Sequence, residues 1–152
     1  MIDTPISETG FVGAAAGAAH MGMRPVCEMQ FIDFVSCAYS ILTNYVATAR
    51  YRAFLPCPMV VRGPSGGYVR GGPFHSQNPE AAFLHTPGLK IVYPATASDA
   101  KGLLKSAIRN PNPSVPPTSL APAFRRIERG CGNALRVLHE QRTAPQCKED
   151  NA

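Results

Sequence analysis

A short unbroken apolar run, Pro58-Met59-Val60-Val61, empties straight into a glycine-rich stretch, GPSGGYVRGGPFHSQ, over 63–77. A run with no polar alternation suits a strand buried on both faces, and such strands belong to parallel sheets covered by helices. Lys90 to Tyr93 repeats the pattern as a second short strand, and Val26 to Phe34 alternates enough to form a strand leading into a loop. Between them lie helical texts. Gly10 to Met23 is rich in Ala and Gly and opens after Ser7-Glu8, while Val35 to Tyr51 carries Val35, Ala38, Ile41, Leu42, Tyr45, Val46 and Ala49 at near-helical intervals. Asn78-Pro79 is a cap and first position for a helix through Leu84, and Ser98 caps another from Asp99 to Arg109. Strand and helix alternate, so the expected class is α/β, a largely parallel sheet flanked by helices.

The 152 residues and 16.3 kDa suit one domain with one core. Thirteen Gly and fifteen Pro imply many turns, which excludes a coiled coil or a helical bundle. A net charge of +5 rests on 15 Lys+Arg against 10 Asp+Glu, with no basic run, so no nucleic-acid partner is expected. The single RGG at 70–72 does not change that. Cys27, Cys37, Cys57, Cys131 and Cys147 are odd in number and lack a CxxC pair, so they read as reduced thiols and not as a disulfide frame or zinc site. No stretch approaches the roughly 18–20 apolar residues of a membrane helix, and no membrane partner is expected. Asp3 and Glu8 stand where a signal peptide would carry Lys or Arg, so the expectation is a soluble intracellular protein.

From Ser114 the text changes. It holds Pro116-Pro117, Pro122, Pro145, five arginines and two of the five cysteines, and offers no clear strand. A helix between Ala123 and Gln141 is interrupted by Gly130-Cys131-Gly132. The expected organisation is therefore a domain over 1–113 and a divergent, flexible tail over 114–152.

Three features can carry chemistry. Glu8 stands at the mouth of the first helix, where a carboxylate is favoured by the helix dipole whatever its function. Gly13 and Gly17 have only alanines between them, a spacing that suits tight packing as well as any special role. The glycine loop with Arg70, His75, Ser76 and Gln77 lacks both the GK[ST] ending of a P-loop and GxGxxG spacing, which leaves a ligand loop or a long connection. Phe34, beside Asp33, is a core aromatic or a packing platform. No GxSxG elbow supports a Ser–His–Asp hydrolase.

Taken together, DTPISETGFVGAAAGAA (3–19), RPVCEMQFIDF (24–34), VVRGPSGGYVRGGPFHSQNPEAAFLHTPGLKIVYPAT (60–96) and DAKGLLKSAIRNPNP (99–113) closely resemble the beta subunits of thiamine-diphosphate-dependent 2-oxo acid dehydrogenases. These are the decarboxylating first components of the pyruvate and branched-chain 2-oxo acid complexes. The resemblance runs almost continuously over 2–113 and implies a transketolase-like pyrimidine-binding domain. It implies oxidative decarboxylation of a 2-oxo acid with acyl transfer to lipoyllysine. Thiamine enzymes carry a glutamate, four residues and then G-Φ-x-x-G, here Glu8 followed by Gly13 to Gly17. By that likeness Glu8 would hydrogen-bond a ring nitrogen of the aminopyrimidine and favour the imino tautomer that deprotonates the thiazolium carbon. Phe34 would pack against the aminopyrimidine, and His75 would orient substrate and support acyl transfer. The resemblance also implies a potassium ion bound mostly by main-chain oxygens at Met59, Ala107, Ile108, Asn110 and Asn112. Related chains often have Asp at the position of Asn110.

The chain departs from that family at both ends. The family's domain has a strand and helix upstream of DTPISE, and after Asn112-Pro113 it enters a strand and a second domain. The expected fold is thus incomplete at both ends, as a truncation or a frameshift near residue 114 would make it. No GDG…N loop for diphosphate and magnesium occurs in the sequence, and in the family that loop lies on the alpha subunit. The implied partners are therefore an alpha subunit that holds the magnesium, a second beta subunit completing a heterotetramer, and a lipoyl-bearing acyltransferase core. The isolated chain would be inactive, and the competing reading is a non-catalytic chain that at most binds the alpha subunit. The implied compartment is a bacterial cytoplasm, or the mitochondrial matrix if an N-terminal segment is missing.

Overall fold

The computed structural model describes residues 1–67, 70–115, 117–118 and 136–137. Helix α1 (Glu8–His20) follows the extended Ser7 and buries Val12, Ala15, Ala16 and Ala19, the i, i+3, i+4, i+7 stripe of a one-sided helix. Strand β1 (Val26–Glu28) comes next. The strand expected to reach Phe34 stops at Glu28, because Ile32–Ala38 forms a 3₁₀ helix instead.

The continuous helix expected over 35–51 is also broken. The 3₁₀ turns run into a π-helical stretch, Ile41–Val46, and then into the short α2 (Ala49–Ala53). Thr43 and Thr48 hydroxyls donate to the carbonyls of Tyr39 and Asn44 four residues back, at 2.9 and 2.8 Å. Hydroxyls bonded in this way compete with the regular ladder, and β-branched residues crowd it further. The buried face is nevertheless continuous through Ile32, Val35, Ala38, Leu42 and Val46.

Strand β2 (Val60–Pro64) is buried at Val60, Val61 and Gly63, and β3 (Lys90–Tyr93) falls where the sequence placed it. Between 78 and 84 the helix is 3₁₀, Pro79–Phe83, and the Asn78 side chain makes no cap bond. Helix α3 (Ala97–Arg109) begins two residues before the expected Asp99. Its cap is Thr96, not Ser98: Thr96 Oγ1 accepts from Asp99 N at 3.0 Å and Asp99 Oδ2 accepts from Thr96 N at 3.1 Å. This reciprocal box needs an acceptor three residues ahead of a carboxylate, which only Thr96 provides.

The absence of strands beyond 113 is corrected at three places: β4 (Ser114–Val115), β5 (Pro117–Thr118) and β6 (Arg136–Val137). The other tail positions, including most of the possible helix at 123–141, lie outside the described residues. β4 and β5 pair with β2 in one register, Val60↔Ser114 and Gly63↔Pro117. Ser114 N donates to Met59 O at 3.0 Å, and Lys90 N donates to Pro113 O at 3.1 Å. Ladder bonds come from the backbone, so a small buried serine serves there and no apolar run announces the strand.

Among the described residues the sheet order is β1-β2-β4-β3-β6, with β5 also paired to β2. The β1–β2, β2–β4, β2–β5 and β3–β4 pairs are parallel, in registers such as Val26↔Val60 and Lys90↔Ser114, and β3–β6 is antiparallel. The core gathers Val12, Leu42, Met59, Val61, Phe83 and Ile91, each almost wholly buried. An α/β fold with a largely parallel, helix-covered sheet is what the molecule adopts.

Candidate functional site

Parallel strands deliver their outgoing loops to one edge, and open α/β sheets bind ligands outside the carboxyl ends of their strands. β1 ends into Phe31–Ala38 and β2 ends into the glycine loop. α1 runs back toward the start of β1 through a short connection, so its first turn, with Glu8, lies at the same edge. Thr9 Oγ1 donates to Cys37 O at 2.5 Å and ties that turn to the 3₁₀ segment.

The structure brings two of the three expected site residues into contact. The Phe34 and His75 rings lie 5.4 Å apart at 59°, both half-buried. Glu8 is half-buried in the adjoining turn of α1. Phe31 and Asp33, which the sequence reading gave no role, also belong here. Phe31 stacks on His75 with centroids 4.3 Å apart and planes 18° from parallel. Asp33 is buried, and its Oδ1 accepts from Gln77 N at 3.1 Å. The signal that could have found Phe31 is its spacing. Phe31 caps the 3₁₀ helix three residues before Phe34, and the two rings lie 6.3 Å apart.

The loop's base is fixed by polar groups as well. Gly66 N donates to Gln77 O at 3.2 Å. Tyr93 Oη donates to Asn78 Oδ1 and lies within hydrogen-bond reach of the buried Ser65 Oγ, both at 3.3 Å. Gly13 faces Ile41 at ordinary contact distance and Gly17 faces open space, so the GAAAG spacing makes no close helix approach among the described residues.

Among the described residues, His75 Nδ1 and Asp33 Oδ2 are buried without a hydrogen-bond partner. Buried polar atoms are nearly always paired, so unpaired ones at a strand's carboxyl edge mark a place where a bound molecule can supply the partner. A cluster of rings with an unpaired imidazole nitrogen and an unpaired carboxylate oxygen can hold a flat, polar molecule.

Of the five positions implied for potassium, three are bonded by arginines. Arg24 Nη1 donates to the carbonyls of Ile108 and Asn110 at 2.8 and 3.3 Å, and Arg50 Nη1 to Asn112 Oδ1 at 3.3 Å. Met59 O accepts from Ser114 N, and Ala107 O from Asn110 N at 3.2 Å. The point where two of these carbonyls converge is thus taken by a guanidinium. Among the described residues no group of three His, Cys, Asp or Glu side chains could hold a metal, and no helix is long and apolar enough to cross a membrane.

Residues 1–117 match the family described as the pyrimidine binding domain of transketolase. The chain is 50% identical over 115 residues to the 2-oxoisovalerate dehydrogenase subunit beta of Bacillus subtilis, covering 74% of this chain and 35% of that one. It is 46% identical over 117 residues to the mitochondrial pyruvate dehydrogenase E1 component subunit beta of Caenorhabditis elegans, covering 76% and 33%. A solved split-gene transketolase, described as an inactive beta4 tetramer, superposes with a TM-score of 0.58 at 22% identity over 74% of this chain and 34% of its own. The chain thus spans about a third of the length of the relatives it matches.

Proposed function

Since the chain belongs to the transketolase pyrimidine-binding domain family, we propose that it supplies the pyrimidine half of a thiamine diphosphate site in a 2-oxo acid dehydrogenase. The alpha subunit would supply the diphosphate and magnesium half. The observation that carries this reading is the Phe34–His75 ring pair, with an unpaired His75 Nδ1, at the edge where Glu8 opens α1.

The cofactor, when bound, supplies the carbanion stabilisation that decarboxylation of a 2-oxo acid requires. This chain's residues do the rest. Glu8, in the first turn of α1, would offer its carboxyl group to a ring nitrogen of the aminopyrimidine and share a proton with it there. Phe34 sets the plane of that ring by packing. His75 would orient the 2-oxo acid and move a proton during acyl transfer to lipoyllysine. The full assembly on this reading is an alpha-beta heterotetramer, docked on a lipoyl-bearing acyltransferase core, in the compartment its alpha subunit occupies.

A potassium ion at Met59, Ala107, Ile108, Asn110 and Asn112 belongs to the same reading. Arg24 takes one lone pair of the Ile108 and Asn110 carbonyls, Ser114 N one of Met59 and Asn110 N one of Ala107, and the ion would use the second lone pairs beside the guanidinium, not at its place. Replacing sodium by potassium chloride at equal ionic strength then raises the unfolding midpoint. An unchanged midpoint removes the ion from the account.

The test of the proposal is thiamine diphosphate binding, followed calorimetrically with magnesium present, to this chain, to a cognate alpha subunit and to their mixture. Tight binding confined to the mixture, weakened by Phe34→Ala, is expected. A mixture that forms a complex but binds no cofactor would favour the non-catalytic, partner-binding reading.

A further inference from the structure

His75 is enclosed by rings on several sides. Phe31 lies stacked against it at 4.3 Å, Phe34 is tilted at 5.4 Å, and Phe74 meets it edge-on at 5.3 Å. Of these, Phe31 presents a nearly parallel face, the contact that most directly sets the plane of the imidazole. The loop that delivers His75 is fixed two residues downstream, where Gln77 N–H donates to Asp33 Oδ1 at 3.1 Å and Gln77 O accepts from Gly66 N. Asp33 is only 8% exposed, and its other oxygen has no partner. A buried carboxylate with a single bond is costly to keep, and a bond to an ionised acceptor is among the stronger ones available to a loop amide. Phe31 and Asp33 stand two residues apart, one at the entry and one in the first turn of the same 3₁₀ helix.

We infer that Phe31 and Asp33 are positioning residues for His75: the Phe31 ring sets the plane of the imidazole, and the Asp33 carboxylate anchors the loop by holding the Gln77 amide. Fixing the plane fixes the directions in which the two ring nitrogens point, which decides what either can reach. The catalytic meaning of this clamp rests on the reading of His75 proposed above; its geometry does not.

The clamp is read by NMR on the full 152-residue chain. Phe31→Leu, at a half-buried position, moves the His75 ring-proton signals downfield by removing the ring current, and Phe31→Tyr restores them. Asp33→Ala speeds exchange of the Gln77 amide by about tenfold or more, while Asp33→Asn, which keeps an acceptor oxygen, retains most of the protection. Unmoved His75 signals in Phe31→Leu, or unchanged Gln77 exchange in Asp33→Ala, overturn the clamp. Should Asp33→Ala fail to fold, the Phe31 pair still decides. In the assembled enzyme Phe31→Leu lowers kcat by about 10- to 100-fold with little change in KM, and Phe31→Tyr recovers it. An unchanged kcat in Phe31→Leu refutes the positioning role. A wild-type assembly without turnover refutes the catalytic reading of His75 and leaves the NMR result standing.

Discussion

Gly88 sits at φ +97°, and a Cβ built there would lie 2.1 Å from the carbonyl oxygen of Ala47. Both the left-handed backbone and the approach of the α2 entry require glycine, so Gly88→Ala is expected to cost about 3 kcal/mol or more, read as a lower urea midpoint. Gly17, mid-helix with open space around it, makes the opposite case: Gly17→Ala should leave the midpoint unchanged or raise stability by up to about 1 kcal/mol. Equal losses at the two sites would contradict this account of them. The same difference in kind governs what the sequence reveals of the site. Glu8, Phe34 and His75 stand out because they lie in long segments resembling a known family, whereas their chemistry alone fits bland core and capping roles. Phe31 and Asp33 stay hidden because their importance depends on a 3₁₀ turn, and FIDF reads equally well as the end of a strand.

At the scale of elements, α3 depends on its entry. Thr96→Ala removes half of the reciprocal cap with Asp99 and should cost about 1 kcal/mol, while Thr96→Ser retains most of it and Ser98→Ala changes little. Thermal unfolding of the three variants checks the order. The sheet's buried thiols give a pH signature. Burial pushes Cys27 in β1 and Cys57 before β2 up to about 11 from an ordinary 9.0. Between those values the unfolded chain has released protons that the folded chain keeps, so stability falls as pH rises and is insensitive to these groups below about 9. The urea midpoint should therefore drop across that window, with a shallower slope in a Cys27→Ala, Cys57→Ala variant. A slope identical in the two proteins would show that the thiols do not cause it. Legibility at this scale followed the strength of periodicity. Lys90–Tyr93 and α1 are plain in the text, because apolar runs and Ala-rich stripes leave few alternatives. The stretch from 32 to 53 is not, since Thr and Ser hydroxyls redirect its backbone bonds and one helix becomes three.

Across the whole molecule, a largely parallel sheet aims β1, β2 and the start of α1 at a single edge, and there Phe34 meets His75 beside the turn of Glu8. α/β class was readable from the alternation of elements. The pairing that begins at Ser114 was not, because its ladder bonds come from the backbone and PPTSLAPAF carries no clear apolar run. On the proposed reading Glu8 serves a cofactor completed by a second subunit. Decarboxylation of a 2-oxo acid should be measured for the wild-type chain and for Glu8→Gln, each combined with a cognate alpha subunit, thiamine diphosphate and magnesium. Turnover is expected in the wild-type mixture, with a loss of about 10²- to 10⁴-fold in Glu8→Gln, the usual weight of a positioned proton-transfer group. A Glu8→Gln mixture as fast as wild type, or a wild-type complex with no turnover at all, would contradict it.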